Sequence, residues 1–79
     1  MTVTVYTLKN CPQCEATKRR LTKLEIPFDA VDLSADPVKA QEFRDQGYQQ
    51  APIVVTPHGT WSGYHPYKLE GLIVERSAA

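Results

Sequence analysis

"TVTVYTLKNCPQC", residues 2–14, runs a β-branched segment directly into two cysteines spaced C-x-x-C, with a proline after the first. Thr2 to Thr7 alternates threonine with Val3 and Val5 and sets Tyr6 out of step, a composition that predicts a strand. Leu8-Lys9-Asn10 reads as a short loop. Pro12 suits the first turn of a helix, where its missing N–H costs nothing. From there to about Leu24 no glycine or further proline intervenes, and good helix formers dominate. Cys14, Thr17, Leu21 and Leu24 recur at helical spacing and share one face, opposite Lys18, Arg19 and Lys23. A strand that hands its chain to a cysteine-headed helix is the unit around which the rest arranges itself.

Working outward, Phe28 to Leu33 follows Pro27 and reads as a second strand. Asp36 and Pro37 supply an N-cap and a first-turn proline for a second helix to about Gln46, with Gly47 as its stop. Its apolar residues, Val38, Ala40 and Phe43, predict one narrow buried stripe. Pro52-Ile53-Val54-Val55 is apolar enough for a central strand. Thr56-Pro57-His58-Gly59 has the composition of a type I turn, and Thr60-Trp61-Ser62 returns as the hairpin partner. Pro66 opens a last helix with Leu69, Leu72 and Ile73 on one side, and Arg76 to Ala79 reads as a frayed tail. The order βαβαββα requires a parallel pair across the first crossover and an antiparallel pair at the final hairpin. A four-stranded mixed sheet with helices on its faces satisfies both, so the fold class is α/β.

The totals narrow the function. Residues 1–79 suit one domain. Nine basic and nine acidic side chains cancel, so no long-range field favours nucleic acid or an anionic membrane. The cluster Lys18, Arg19, Arg20 and Lys23 reads as a solvated face near a helix C-terminus, where the macrodipole favours cations. No run approaches the roughly 20 apolar residues of a membrane span. The opening residues lack the basic and apolar regions of a secretory signal, so the expected location is the cytoplasm.

Cys11 and Cys14 admit three readings. A structural staple fits poorly, because reducing compartments disfavour lasting disulfides and a loop this short constrains the unfolded chain by only about 2 kcal/mol. A zinc site needs four ligands, and His58 and His65 have six residues between them rather than a metal-binding spacing. Each histidine alone reads as a surface or capping residue. The third reading, a redox pair, uses the placement directly. Cys11 lies where unpaired N–H groups and the positive helix end favour an anion such as a thiolate. Lys9 adds positive charge two residues upstream. Cys14 lies one turn deeper, in register with Leu21 and Leu24, and is shielded. This asymmetry makes Cys11 the nucleophile and Cys14 the resolving thiol of a Cys11–Cys14 redox disulfide. C-x-x-C beside a βαβ pattern is a recognised signal for that chemistry.

With C-P-Q-C at 11–14, G-Y-Q-Q-A-P at 47–52 and W-S-G-Y-H-P at 61–66, the chain resembles the thioredoxin superfamily in its small glutaredoxin-like form across essentially its whole length. More narrowly it resembles the NrdH-redoxins, whose signature W-S-G-F-x-P carries Phe where Tyr64 stands here. The resemblance implies a thioredoxin fold with sheet order β2-β1-β3-β4, and a cis peptide before Pro52 that presents Ala51 backbone groups to the substrate. It also implies that Lys9, Pro12, Gln13, Ala51, Pro52, Trp61, Ser62, Gly63, Tyr64 and His65 meet substrate or partner. Trp61 equally suits a core position under the last helix.

The branch decides the electron source. Glutaredoxins hold glutathione with a tyrosine in C-P-Y-C, a T-V-P loop and a G-G-x-x-D segment. Here Gln13, Gln50-Ala51-Pro52 and Trp61-Ser62-Gly63-Tyr64 stand in their places. The NrdH resemblance instead implies electrons from NADPH through thioredoxin reductase to the large subunit of a class Ib ribonucleotide reductase, with no bound cofactor; a monomer is the default at this size. The alternatives are a glutathione-dependent glutaredoxin and a non-catalytic metal-binding or adaptor module. Two residues depart from the family pattern. His65 stands where arginine is usual, and Tyr67 where an aspartate follows the proline.

Overall fold

The computed structural model describes residues 3–78, with side chains to residue 72. Thr2, Ala79 and the side chain of Ile73, all included in the expectations above, lie outside the described residues. Four strands form one sheet: β1 (Thr4–Thr7), β2 (Asp29–Asp32), β3 (Ile53–Thr56) and β4 (Gly59–Ser62). Their order is β2-β1-β3-β4. β1 runs parallel to β2, in register Thr4 to Asp29, and antiparallel to β3, which is antiparallel to β4. Helices α1 (Pro12–Lys23), α2 (Pro37–Asp45) and α3 (Pro66–Ala78) complete the thioredoxin fold. α3 runs to Ala78, so residues 76–78, expected as a frayed tail, continue the helix.

The central strands β1 and β3 are covered on both faces, and this explains why Tyr6 breaks the alternation of β1. Val3, Val5 and Val54 point to one side, where Leu21, Ile26, Trp61, Leu69 and Leu72 complete the main core beneath α1 and α3. Tyr6 and Ile53 point to the other, where Leu33 and Phe43 form a smaller core with Ala40 and Tyr48. There the Tyr6 and Phe43 rings meet edge to face, with centroids 4.8 Å apart. A strand covered on both sides has no polar face to present, so apolar residues occupy consecutive positions.

Three local outcomes differ from the sequence expectations. The second strand ends at Asp32 rather than Leu33, because Leu33–Ala35 forms a 3₁₀ turn. The Asp32 carboxylate accepts from the Ser34 N–H at 2.9 Å and the Ser34 hydroxyl at 2.6 Å, a local bond that ends the ladder. Val38 was expected in the buried stripe of α2 but is 71% exposed, so only Ala40 and Phe43 face the sheet. In the basic cluster, Arg20 is not simply solvated: it forms an ion pair with Glu70, tying α1 to α3.

The remaining caps follow the sequence. Asp36 accepts from the Lys39 N–H at 3.0 Å to start α2, and Gly47, with φ of 96°, reverses the chain after it. No described helix is long and apolar enough to cross a membrane.

Candidate redox site

Cys11 is the N-cap of α1, in extended conformation, reached through Asn10 in the left-handed region at φ 55°. Asparagine tolerates that conformation better than most residues. The turn points the Cys11 side chain back over the helix start, where its Sγ accepts from the Cys14 N–H at 3.1 Å. That bond is the N-cap interaction of a serine or aspartate, made here by sulfur. It places a backbone donor and the positive end of the helix dipole on the atom that carries charge as a thiolate. Pro12 occupies the first helical position and withholds no needed donor.

The two cysteines are joined as a disulfide, with Cα atoms 5.2 Å apart. Their environments differ as the helical register implies. Cys11 is partly exposed, whereas Cys14 is 1% exposed and packs on the same helix face as Thr17 and Leu21. Attack from outside is therefore open at Cys11 and closed at Cys14.

The loop before β3 faces this pair. The Ala51–Pro52 peptide is cis, as the family resemblance implies. The Ala51 carbonyl oxygen lies 3.7 Å from Cys11 Sγ. An open depression of about 330 Å³ surrounds Cys11, bounded by Leu8, Lys9, Pro12, Gln13, Gln50 and Ala51. Lys9 contributes its charge at this rim. Its field also acts on Asp32, whose carboxyl is held below the usual range, chiefly by the Ser34 hydroxyl and N–H.

A second loop, residues 62–65, closes the other side. The Gly63 N–H donates to the Pro52 carbonyl at 2.8 Å, and the Tyr64 N–H donates to Gln13 Oε1 at 3.1 Å. His65 Nε2 lies 2.9 Å from the Ser62 carbonyl oxygen, bracing the turn from within. One histidine nitrogen thus makes a bond inside the loop at the position where the family carries arginine. Gly63 is buried at φ 85°, a conformation that glycine adopts without strain. Tyr67, in the position of the family's aspartate, is 87% exposed on the first turn of α3.

Pro12, Gln13, Ala51, Pro52, Gly63 and Tyr64 therefore converge around the cysteines, linked through the bonds just described. Trp61 does not. Its ring is 9% exposed and belongs to the main core, with Lys68 Nζ 5.4 Å from the ring centroid. Sequence reasoning missed Leu8 and Gln50. Leu8 is an apolar residue left 45% exposed beside Cys11, and Gln50 sits between Cys11 and Gly63. The signal for Gln50 was its position before Ala51-Pro52; an isolated leucine in a loop carries no comparable signal. Among the described residues, no group of three or more His, Cys, Asp or Glu side chains is placed to hold a metal ion.

Comparison with known proteins agrees with this geometry. The family described as Glutaredoxin matches residues 3–58. A glutaredoxin-like protein NrdH of Salmonella typhimurium is 39% identical over 66 residues, which are 84% of this chain and 82% of the relative. One from Lactococcus lactis is 33% identical over 89% of this chain and 97% of its own length. Among solved structures, the NrdH-redoxin from Escherichia coli superposes with a TM-score of 0.88 at 35% identity, covering 91% of this chain and 95% of that one. With a cysteine pair at the head of α1 and a cis proline facing it, the chain belongs to the glutaredoxin family, as a thiol–disulfide oxidoreductase of the glutaredoxin-like NrdH type.

Proposed function

We propose that the protein is a cytoplasmic dithiol electron carrier, reduced by thioredoxin reductase and donating to the large subunit of a class Ib ribonucleotide reductase. It works as a monomer without a cofactor of its own, and its electrons come ultimately from NADPH. In the forward reaction the Cys11 thiolate attacks one sulfur of the substrate disulfide. The second substrate sulfur leaves as a thiolate and takes up a proton. Cys14, having lost its proton, then attacks Cys11 Sγ and releases the first substrate thiol. Two electrons pass from the protein dithiol to the substrate, leaving the Cys11–Cys14 disulfide for the reductase.

The observation that carries this reading is the bond between Gln13 and Tyr64. Glutaredoxins use the corresponding positions to hold glutathione with a tyrosine, loop backbone groups and a carboxylate. Here Gln13 replaces that tyrosine and already engages the Tyr64 N–H, and among the described residues no carboxylate bounds the depression at Cys11. The glutathione amine would find no ion-pair partner there. The solved NrdH-redoxin from Escherichia coli is described as having a thioredoxin-like activity profile, which supports the same assignment.

The test is a coupled assay with purified protein. With thioredoxin reductase and NADPH the protein is expected to reduce insulin disulfides, and to sustain turnover of a class Ib ribonucleotide reductase as its only electron donor. Glutathione with its reductase is expected to support neither. Activity confined to the glutathione system would move the protein to the glutathione-dependent branch. One equivalent of bound zinc, with folding lost on chelation, would favour the metal module.

A further inference from the structure

At the hairpin end of β4, a hollow of about 280 Å³ opens between the edge of the sheet and α3. It shares no residue with the depression at Cys11. Trp61 and Leu72 supply its apolar lining, Lys68 and Gly71 approach from α3, and His58 and Thr60 approach from the hairpin. Among the described residues no carboxylate bounds it.

Three of these residues are left incomplete by the rest of the described chain. Trp61 Nε1 is buried and has no hydrogen-bond partner among the described residues. An indole N–H removed from water ordinarily finds an acceptor. Lys68 is exposed and forms no ion pair among the described residues, its ammonium resting 5.4 Å from the Trp61 ring centroid. Gly71 lies inside α3, where glycine is a poor helix former, yet a Cβ there would meet nothing within 4 Å. No close packing demands glycine at this position; its missing side chain leaves the hollow open. The ladder adds a further donor. Because the Gly63 N–H bonds the Pro52 carbonyl, Trp61 and Gly59 also turn toward β3, and Thr60 turns its backbone N–H to the open edge.

We propose that this hollow binds a small organic carboxylate, a monoanion carried on a compact apolar body. One carboxylate oxygen accepts from the Trp61 indole N–H. The other accepts from the Lys68 ammonium, which swings from the ring face to meet it. The body lies against Leu72 and the ring, in the space that Gly71 leaves. One lysine matches a single negative charge, and two separated donors match the two oxygens. The volume is near the small end of ligand sites, which run roughly 300–1,000 Å³. Inorganic phosphate suits the hollow less, because it presents more acceptor oxygens than these donors serve and has nothing to lay on Leu72. The proposal does not depend on the electron route proposed above.

The chain has one tryptophan, so its indole N–H gives one unambiguous signal in a proton–nitrogen correlation spectrum. Phenylacetate, titrated to about 10 mM to occupy most of a site of millimolar Kd, is expected to shift that signal saturably. Phenethylammonium, which carries the same ring on a cation, and inorganic phosphate are expected to leave it in place. Lys68→Met, an exposed change, is expected to weaken phenylacetate at least about tenfold, the scale of one charge-assisted hydrogen bond. Gly71→Leu fills the hollow with a better helix former and is expected to abolish the shift. No shift with phenylacetate, an equal shift with phenethylammonium or phosphate, or an affinity unmoved by both variants would overturn the proposal.

Discussion

Gln13, two residues after Cys11, accepts a hydrogen bond from the backbone N–H of Tyr64, 51 residues along the chain. Through it the start of α1 is joined to the loop that in turn holds Pro52 by the Gly63 N–H. Replacing Gln13 by alanine removes the only side-chain acceptor that spans this gap among the described residues. The pair is exposed, so the expected loss is about 0.5–1 kcal/mol, a fall of a few degrees in Tm. Hydrogen exchange supplies the specific readout: the Tyr64 amide should exchange faster in Gln13→Ala and recover protection in Gln13→Glu, which keeps an acceptor. Unchanged exchange at Tyr64 would show that the bond does not hold the loop.

The unequal exposure of the cysteines predicts unequal trapping. Cys14→Ser leaves Cys11 able to attack but removes the thiol that resolves the mixed disulfide. Mass spectrometry should find this variant covalently joined to a disulfide-bearing protein partner. Cys11→Ser should yield no such species, because Cys14 is closed to outside attack. Equal trapping by both variants would contradict the role assignment.

The Asp32 carboxyl lies below its ordinary value, first because of the Ser34 hydroxyl, then the Ser34 N–H, with a further contribution from Lys9. A depressed carboxyl stabilises the fold above the pKa of the unfolded chain, and the contribution disappears as pH falls through the folded pKa. Ser34→Ala removes the largest of these causes. A carboxyl NMR titration should therefore give Asp32 a midpoint below 3.8 in the original protein and one closer to that value in the variant. Coincident midpoints would remove the hydroxyl as the cause.

Two apolar residues on helices should respond oppositely to truncation. Leu21 is fully buried in the main core, and Leu21→Ala is expected to cost about 2–5 kcal/mol in urea denaturation. That is a large share of the roughly 5–15 kcal/mol that holds a typical domain together. Val38 is 71% exposed, and Val38→Ser should stay within about 0.5 kcal/mol. A comparable loss at both would contradict the packing described for α2.

The order of elements, the proline-headed helices and the register of Cys14 with Leu21 were all legible in the chain, because each depends on neighbours within a few residues. Backbone propensity, capping chemistry and helical period act over that range, and they suffice to expose one thiol and shelter the other. The end of β2 was misplaced by one residue because the Asp32–Ser34 bond competes with the ladder, and propensity does not report a side chain's choice of partner. Val38 and Phe43 are equally apolar on paper. Which of them is buried depends on how α2 is rotated against the sheet, and packing alone sets that angle. The same holds at the site. The sequence by itself determined a strand running into a Cys11–Cys14 helix head with unequal thiols. Only the tertiary structure decided that Gln13 turns to Tyr64, that Trp61 joins the core, and that Leu8 and Gln50 border the depression at Cys11. Each of these unites residues far apart in the chain, and contacts across such separations come into being only when the sheet and helices pack.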